Sequence, residues 1–383
     1  MSDLNRRTTL GLAAGALASP ALARTQTAAG PDAPHPALAT PLTRIAFGSC
    51  ANQDKDQPIW EAVLEARPDL FIFLGDNIYA DTRDPEVMRA KYARLAAKPG
   101  FRKLRDKVPV CAIWDDHDFG ENDAGGDYPM KAESRRQFCD FWGEPADSPR
   151  RSREGIHAAY LFGPAGRQVQ IVLPDLRWNR TPLHRLDGVD YKTWAAAKTL
   201  SGQPVPGPYA RDPDPASTML GEPQWAWLEQ QLRQPADLRI LASSLQVLAD
   251  FAGWEGWINY ANDHQRLFDT IRRTQAERLF CISGDTHYGE ISRLSVNTPY
   301  PIWDVTSSGL TEVWPVTPPN ALRQGSVLRE QNFGLITIDW TPAAPRLQIE
   351  VRDVNGRPRL GLPLDTDTLR PRCSGSGPVR PCL

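Results

Sequence analysis

Apolar positions in this chain come in short unbroken runs, and several of the runs end in a polar cluster. Residues 44–50 (RIAFGSC), 69–76 (DLFIFLGD), 108–115 (VPVCAIWD), 238–246 (LRILASSLQ) and 278–285 (RLFCISGD) share this form. Continuous apolar runs of this length suit strands covered on both faces. Helical spacing fills residues 59–66, 85–97, 131–142, 223–232 and 264–274 between them. Residues 160–162 with 168–173 read as a hairpin, as do the later stretches 335–339 and 347–351. The alternation predicts an α/β fold layered around one core. Residues 177–220 hold many Pro and Gly and predict a long surface excursion. No internal repeat is visible.

Composition narrows the class. The chain has 383 residues, 41% of them hydrophobic, which is enough apolar material for a large core and excludes disorder as the main state. Lys plus Arg number 44 against 46 Asp plus Glu, a formal net charge of −2. Without a basic excess to neutralise a phosphate backbone, a nucleic-acid partner is not expected. Six Cys are too few for a disulfide scaffold.

The first 23 residues read as a targeting segment. Arg6 and Arg7 precede a weakly apolar stretch, residues 10–22, that ends in an A-x-A cleavage pattern at residues 21–23. This predicts a twin-arginine export signal, with the export machinery as partner and a periplasmic or secreted location. The competing reading is a cytosolic N-terminal helix with two chance arginines. No other stretch approaches the length of a membrane span, so stable insertion is not expected. The resulting division is a signal peptide at 1–23, a linker at 24–42, one domain at 43–370 and a tail at 371–383. An exported location permits disulfides, and Cys373 and Cys382, nine apart in a Gly- and Pro-rich tail, are expected to pair. Cys111, Cys139 and Cys281 sit in apolar patterns and read as inert core thiols.

In open α/β sheets, ligands bind beyond the carboxyl ends of the strands. Here those ends carry Cys50, then Asp76, Asn77 and Tyr79, then Asp115, Asp116, His117 and Asp118, then Gln246, then Asp285 and His287. A Gly-Asp pair after a strand is by itself an ordinary turn. Together these groups put carboxylates, imidazoles, a thiol and a phenol on one rim, the inventory of a multi-metal site. Asp285 and His287 would share a face in extended backbone. Asp76 and Tyr79 would share one in a helical turn. The stretch 115–127 carries six acidic residues and one His, and it departs from the EF-hand register. It reads as a solvated acidic loop or as oxygen ligands for a hard cation such as Ca²⁺. A phenolate from Tyr79 would favour Fe³⁺ over Zn²⁺.

Six motifs resemble the alkaline phosphatase D (PhoD-like) family of metallophosphatases. They are FGSC at 47–50, GDNIYAD at 75–81, WDDHD at 114–118, DLR at 175–177, LGEPQW at 220–225 and GDTHYG at 284–289. The resemblance runs in the family's order from about residue 44 to 353. It implies a two-sheet sandwich flanked by helices and hydrolysis of small phosphate mono- and diesters, with iron and calcium as metals. It would place Cys50 and Tyr79 on iron and Asp76 between metals. Asp116 and His117 stand where the wider superfamily has an Asn-His pair, and Asp285 and His287 where it has His-x-His. Longer members carry an N-terminal β-domain, and here a linker precedes Arg44.

The expected metal ligands are thus Cys50, Asp76, Tyr79, Asp116, His117, Gln246, Asp285 and His287. His117 and Asp76 are the expected catalytic groups, with His117 stabilising charge or protonating the leaving oxygen. Asn77, Arg83, Arg136, Arg177 and Arg180 are candidates to bind phosphate, although any one Arg is more often a surface or ion-pair residue. Cys50 has a rival reading as a covalent nucleophile. The competing function is a non-catalytic exported domain that binds calcium for structure. A thiol on the rim argues against it, since pure calcium sites use oxygen ligands.

Overall fold

The structure, a computed structural model, describes residues 39–186 and 207–371. The twin-arginine segment, most of the linker, the middle of the Pro- and Gly-rich excursion and the pair Cys373 and Cys382 lie outside the described residues. In chain order the elements are β1 (Arg44–Gly48), α1 (Ile59–Glu65), β2 (Leu70–Leu74), α2 (Pro85–Ala97), α3 (Pro99–Lys107), β3 (Val110–Ile113), α4 (Asp116–Phe119) and α5 (Lys131–Trp142). Then follow β4 (Ala158–Phe162), β5 (Val169–Leu173), α6 (Gly221–Leu232), β6 (Leu238–Ala242), α7 (Ala261–Thr274), β7 (Leu279–Ser283), β8 (Gly289–Leu294) and β9 (Ile302–Ser307). The C-terminal strands are β10 (Asn332–Asp339), β11 (Arg346–Asp353) and β12 (Pro358–Asp365). Among the described residues, no helix is long and apolar enough to cross a membrane.

Two six-stranded sheets result, ordered β12-β11-β10-β1-β2-β3 and β4-β5-β6-β7-β9-β8. The five runs that end in polar clusters become β1, β2, β3, β6 and β7. Each pairs in parallel with at least one neighbour, and this explains their unbroken apolar character. Phe71 and Phe73 point to one face of β2, where Trp60 of α1, Phe101 of α3 and Trp142 of α5 pack around Phe73 with ring centroids 5.0–5.9 Å away. The two sheets meet closely enough that a Cβ on Gly289 would lie 2.8 Å from Val351 of the other sheet. One buried hydrophobic cluster spans both sheets and the helices.

Three strands and two helices escaped the sequence pattern, α4 because it lies in the stretch that reads as an acidic loop. β8 and β9 interleave Glu290, Ser292, Arg293 and Asp304 with apolar residues. β12 carries Pro358 and Pro363 and pairs on one side, at the edge of its sheet, where missing N–H donors are tolerated. α3 starts at Pro99-Gly100, which reads as a break. Pro is in fact well suited to the first helical turn, and Gly100 lies under the Trp60 ring.

Candidate metal centre

Parallel pairing puts the carboxyl ends of β1, β2 and β3 on one edge of the first sheet, and those of β6 and β7 on one edge of the second. The edges meet there: Leu310 N–H, just past β9 of the second sheet, donates to the Ser49 carbonyl at the end of β1 at 3.1 Å. A Cβ on Gly284 would sit 2.6 Å from Ser49 Oγ and 2.9 Å from the Leu74 carbonyl oxygen, so the sheets approach across a glycine. Gly75, with φ +95°, lets the ends of β2 and β3 approach within the first sheet, and a Cβ there would strike Asp115.

The backbone at the rim is left-handed at four expected site residues, Cys50 (φ 64°), Asp76 (φ 49°), Asp285 (φ 72°) and His287 (φ 61°). The shared faces expected for extended backbone at 285–287 and a helical turn at 76–79 do not form. Both segments are bends that turn their side chains inward. Such conformations cost roughly 1–3 kcal/mol each for residues other than glycine and persist where the surroundings fix them. Here Ala51 N–H donates to the Asp76 carbonyl at 2.9 Å and Thr311 N–H to the Cys50 carbonyl at 3.0 Å. Ser308 Oγ accepts from His287 N–H at 2.9 Å.

The side chains converge on Asp76. Ligand atoms of Cys50, Asp76 and His287 lie within 4.8 Å of one another, and so do those of Asp76, Asp116 and His117, and those of Asp76, Asp115, Asp116 and Asp285. Asp76 belongs to all three groups. Tyr79 OH lies 3.0 Å from His287 Nε2 and 3.5 Å from Asp76 Oδ2. The Cys50 thiol is 3.3 Å from Asp76 Oδ2. A fourth group, Asp116, Asp123 and Glu255, extends the carboxylate cluster.

These residues fit resident metal cations. Asp76 Oδ1, Asp115 Oδ2 and Asp116 Oδ1 are buried without a hydrogen-bond partner, which is costly for carboxylate oxygens unless a cation faces them. The donor set also divides by chemistry. Thiol, imidazole and phenol gather at the Cys50–Tyr79–His287 side, and carboxylates alone at Asp115–Asp116–Asp285.

Electrostatics agree. Burial, then the neighbouring Asp76, pushes the Cys50 thiol well above its ordinary value. Burial, then Cys50 and Asp76, does the same to the Tyr79 phenol. Burial raises Asp76 and Asp285, and neighbouring carboxylates add to it. Burial also raises Asp115, to about 6, although Arg177 opposes it. Burial acts on Asp116 too, yet His117 and Arg177 outweigh it and hold that carboxyl low. Burial would lower His117, but Asp116, Asp76 and Asp81 overcome it and lift the imidazole to about 11. Burial takes His287 down to about 4. So many acids cannot all ionise unaided, and cations that enter displace protons from them.

Other expected residues have different tasks. His117 stacks on the Tyr79 ring at 4.2 Å and holds Asp81 through Nδ1 at 2.7 Å. Asn77 is fully buried. Its amide donates to the Ile113 carbonyl and to Asp118, tying the ends of β2 and β3 together. Gln246 donates to Glu290 at 2.7 Å and Thr306 at 2.9 Å. The arginines expected to bind phosphate are held by carboxylates. Arg177 is buried between Asp115 (2.6 Å) and Glu255 (2.9 Å). Arg180 is buried on Glu255 and the Asp123 carbonyl. Arg83 pairs with Glu121 at the surface, and Arg136 with Glu133 and Asp140.

Glu255 escaped the sequence reading entirely. It follows no strand, and its one signal is a lone acid inside an aromatic run, Trp254 to Trp257. Asp123 was visible as part of the acidic stretch, without a role. Asp81, Ser308 and Glu312 also went unassigned. Two of the six motifs brace the site from behind. Asp175 accepts from Trp114 Nε1 and from three backbone N–H groups. Gln224 clamps the Asp175 backbone at 2.7 Å and 2.8 Å.

Comparison with known proteins follows this geometry. Alkaline phosphatase D of Bacillus subtilis (strain 168) is 22% identical over 305 residues, covering 69% of this chain and 49% of that protein. The chain therefore spans about half the length of this curated relative. Among solved structures, one titled as the structure of PhoD superposes with a TM-score of 0.66 at 14% identity, covering 92% of this chain and 74% of its own. GAP50, titled as the anchor in the inner membrane complex of Plasmodium, superposes with a TM-score of 0.51 at 12% identity, covering 85% and 90%. At these identities the two structures show the shared fold, the expected sandwich of two sheets with flanking helices. Residues 45–333, well over half of the chain and inclusive of every group on the rim, match the PhoD-like phosphatases, and the chain belongs to that family.

Proposed function

We propose that this chain is an exported, metal-dependent phosphoesterase that hydrolyses phosphate monoesters, diesters or both. The observation that carries the reading is Asp76, one carboxylate common to three groups of potential ligands at the strand ends. When bound, metal cations would supply positive charge for the phosphoryl oxygens and make a water acidic enough to attack phosphorus. Cys50, Tyr79, Asp76 and His287 are the residues to hold a trivalent iron. Asp76, Asp115, Asp116 and Asp285 are the residues to hold calcium.

The chain's own contributions are positional. Asp76, held in left-handed backbone at the end of β2, lies within reach of both ligand sets. Arg177 neutralises Asp115 and Glu255 from beneath, so the carboxylates keep their places when the front of the cluster changes charge. His117 has Nδ1 fixed on Asp81, which leaves Nε2 to give a proton to the leaving oxygen. The carboxylates around it keep the ring charged, and cations in the cluster draw its value back toward neutrality. Cys50 needs no nucleophilic role in this scheme.

Three outcomes are expected. Asp76→Asn keeps shape but loses charge, so hydrolysis of aryl phosphate esters should fall at least about a hundredfold while circular dichroism shows the fold retained. Near wild-type turnover in that variant would remove Asp76 from the centre of the mechanism. Hydrolysis that survives exhaustive chelation would refute the metal dependence, and a metal-loaded wild type without hydrolysis would favour the calcium-binding structural alternative. If phenolate and thiolate share one ferric ion, the pure protein is coloured. Tyr79→Phe then bleaches or shifts the band, and Cys50→Ser shifts it and weakens iron retention. A colourless, fully active protein that holds only zinc or calcium would refute the iron assignment. For export, Arg6→Lys with Arg7→Lys should hold the precursor in the cytoplasm. Mature protein still found outside the inner membrane would point to general secretion.

A further inference from the structure

The cleft in front of the cluster is charged along the metal rim and apolar over much of the rest. Asp116, His117, Asp123, Glu255, Asp285 and His287 form the charged part. Phe251, Trp254, Trp314, Pro318 and Pro319 form the apolar part. Trp254 and Trp314 pack edge to face, with ring centroids 6.0 Å apart and planes at 72°. Trp314 is tied directly to the rim. Its N–H donates to the His287 carbonyl at 3.0 Å, and its ring centroid lies 6.4 Å from the His287 ring.

Among the described residues that line this cleft, none is Lys or Arg. The nearby cations are engaged elsewhere: Lys55 on Glu312, Arg323 on Glu290, and Arg177 and Arg180 on Glu255. Two of the three carboxamides in the lining, all but Asn122, are engaged too. Gln246 donates to Glu290 and Thr306, and Asn320 to Glu290 and Ser292.

We propose that this cleft receives the alcohol half of the phosphoester and selects a flat, uncharged, aromatic group there. The proposal rests on the phosphoesterase reading and adds the substrate class. A second anionic group on the substrate would lose its hydration against Phe251 and the two tryptophans and, among the described residues of the lining, meet no Lys or Arg in return. A polyhydroxylated alcohol would find few free amide donors to replace its water. An aromatic ring loses little on leaving water and gains edge-to-face contact with the indoles, whose own geometry leaves ring faces and edges at right angles. Because Trp314 is anchored to His287 through the backbone, the wall keeps a fixed distance from the cluster that holds the phosphoryl group.

The test is a set of kcat/KM values for the purified, metal-loaded protein with 2-naphthyl phosphate, the same ester carrying a ring sulfonate remote from the ester oxygen, and glycerol phosphate. The two naphthyl esters share ring and leaving-group chemistry, so the sulfonate reports on the cleft. It should lower kcat/KM about tenfold or more, through KM. Trp254→Ala and Trp314→Ala should each lower the ratio of naphthyl to glycerol ester by about three- to tenfold. Trp254→Leu and Trp314→Leu, which keep apolar bulk and guard against misfolding, should lower the ratio less. Equal turnover of both naphthyl esters, with ratios unmoved in the tryptophan variants, overturns this inference and leaves the phosphoesterase reading intact. Failure to hydrolyse any of the three esters or their methyl diesters overturns that reading, and this inference with it.

Discussion

Like charges held close together out of water set the terms for this structure. Asp76, Asp115, Asp116 and Glu255 are buried, and Asp285 joins them at the rim. In an interior of low effective dielectric, such a group is unfavourable unless opposite charge is built in or taken up. The chain builds in part of it. Arg177 and Arg180 lie beneath the cluster and engage Asp115 and Glu255. His117 adds charge from the side. The remaining oxygens, Asp76 Oδ1 and Asp116 Oδ1 among them, have no hydrogen-bond partner among the described residues. The fold thus neutralises the back of the cluster with guanidinium and leaves the front to cations.

Holding that cluster requires unusual backbone, and the sheets supply it. Cys50, Asp76 and Asp285 each follow a strand by two residues and take positive φ, a conformation a free loop would relax. Paired strands on either side fix where each chain leaves its sheet, and Gly284 allows the two edges to touch. Trp114 and Asp175 then pin the segment before Asp115 from the second layer. Strain at the rim is therefore held by a core whose β2 residues are all buried.

Much of this was readable from sequence because the parallel strands are written as apolar runs with chemistry at their ends. Cys50, Asp76, Tyr79, Asp116, His117, Asp285 and His287 all meet where that logic puts them. The errors have physical causes. Arg177 and Arg180 looked like phosphate ligands because sequence shows charge and not partners, and Glu255, the partner, carries no strand-end signal. Asn77 donates to Asp118 and the Ile113 carbonyl beside the rim, and Gln246 donates to Glu290 and Thr306 on strands β8 and β9, whose mixed pattern hid them. The bends at 76–79 and 285–287 replaced regular backbone because tertiary contacts, invisible locally, stabilise left-handed residues there.

The central claim is that one carboxylate, Asp76, links more than one cation. Metal-to-protein ratios measured by mass spectrometry on purified wild type and Asp76→Asn test it most directly. The account predicts at least two ions per chain in the wild type and the loss of more than one from the single substitution, since a shared ligand serves both positions. A wild type holding one ion or none, or a variant that loses one ion and keeps the rest, would contradict it.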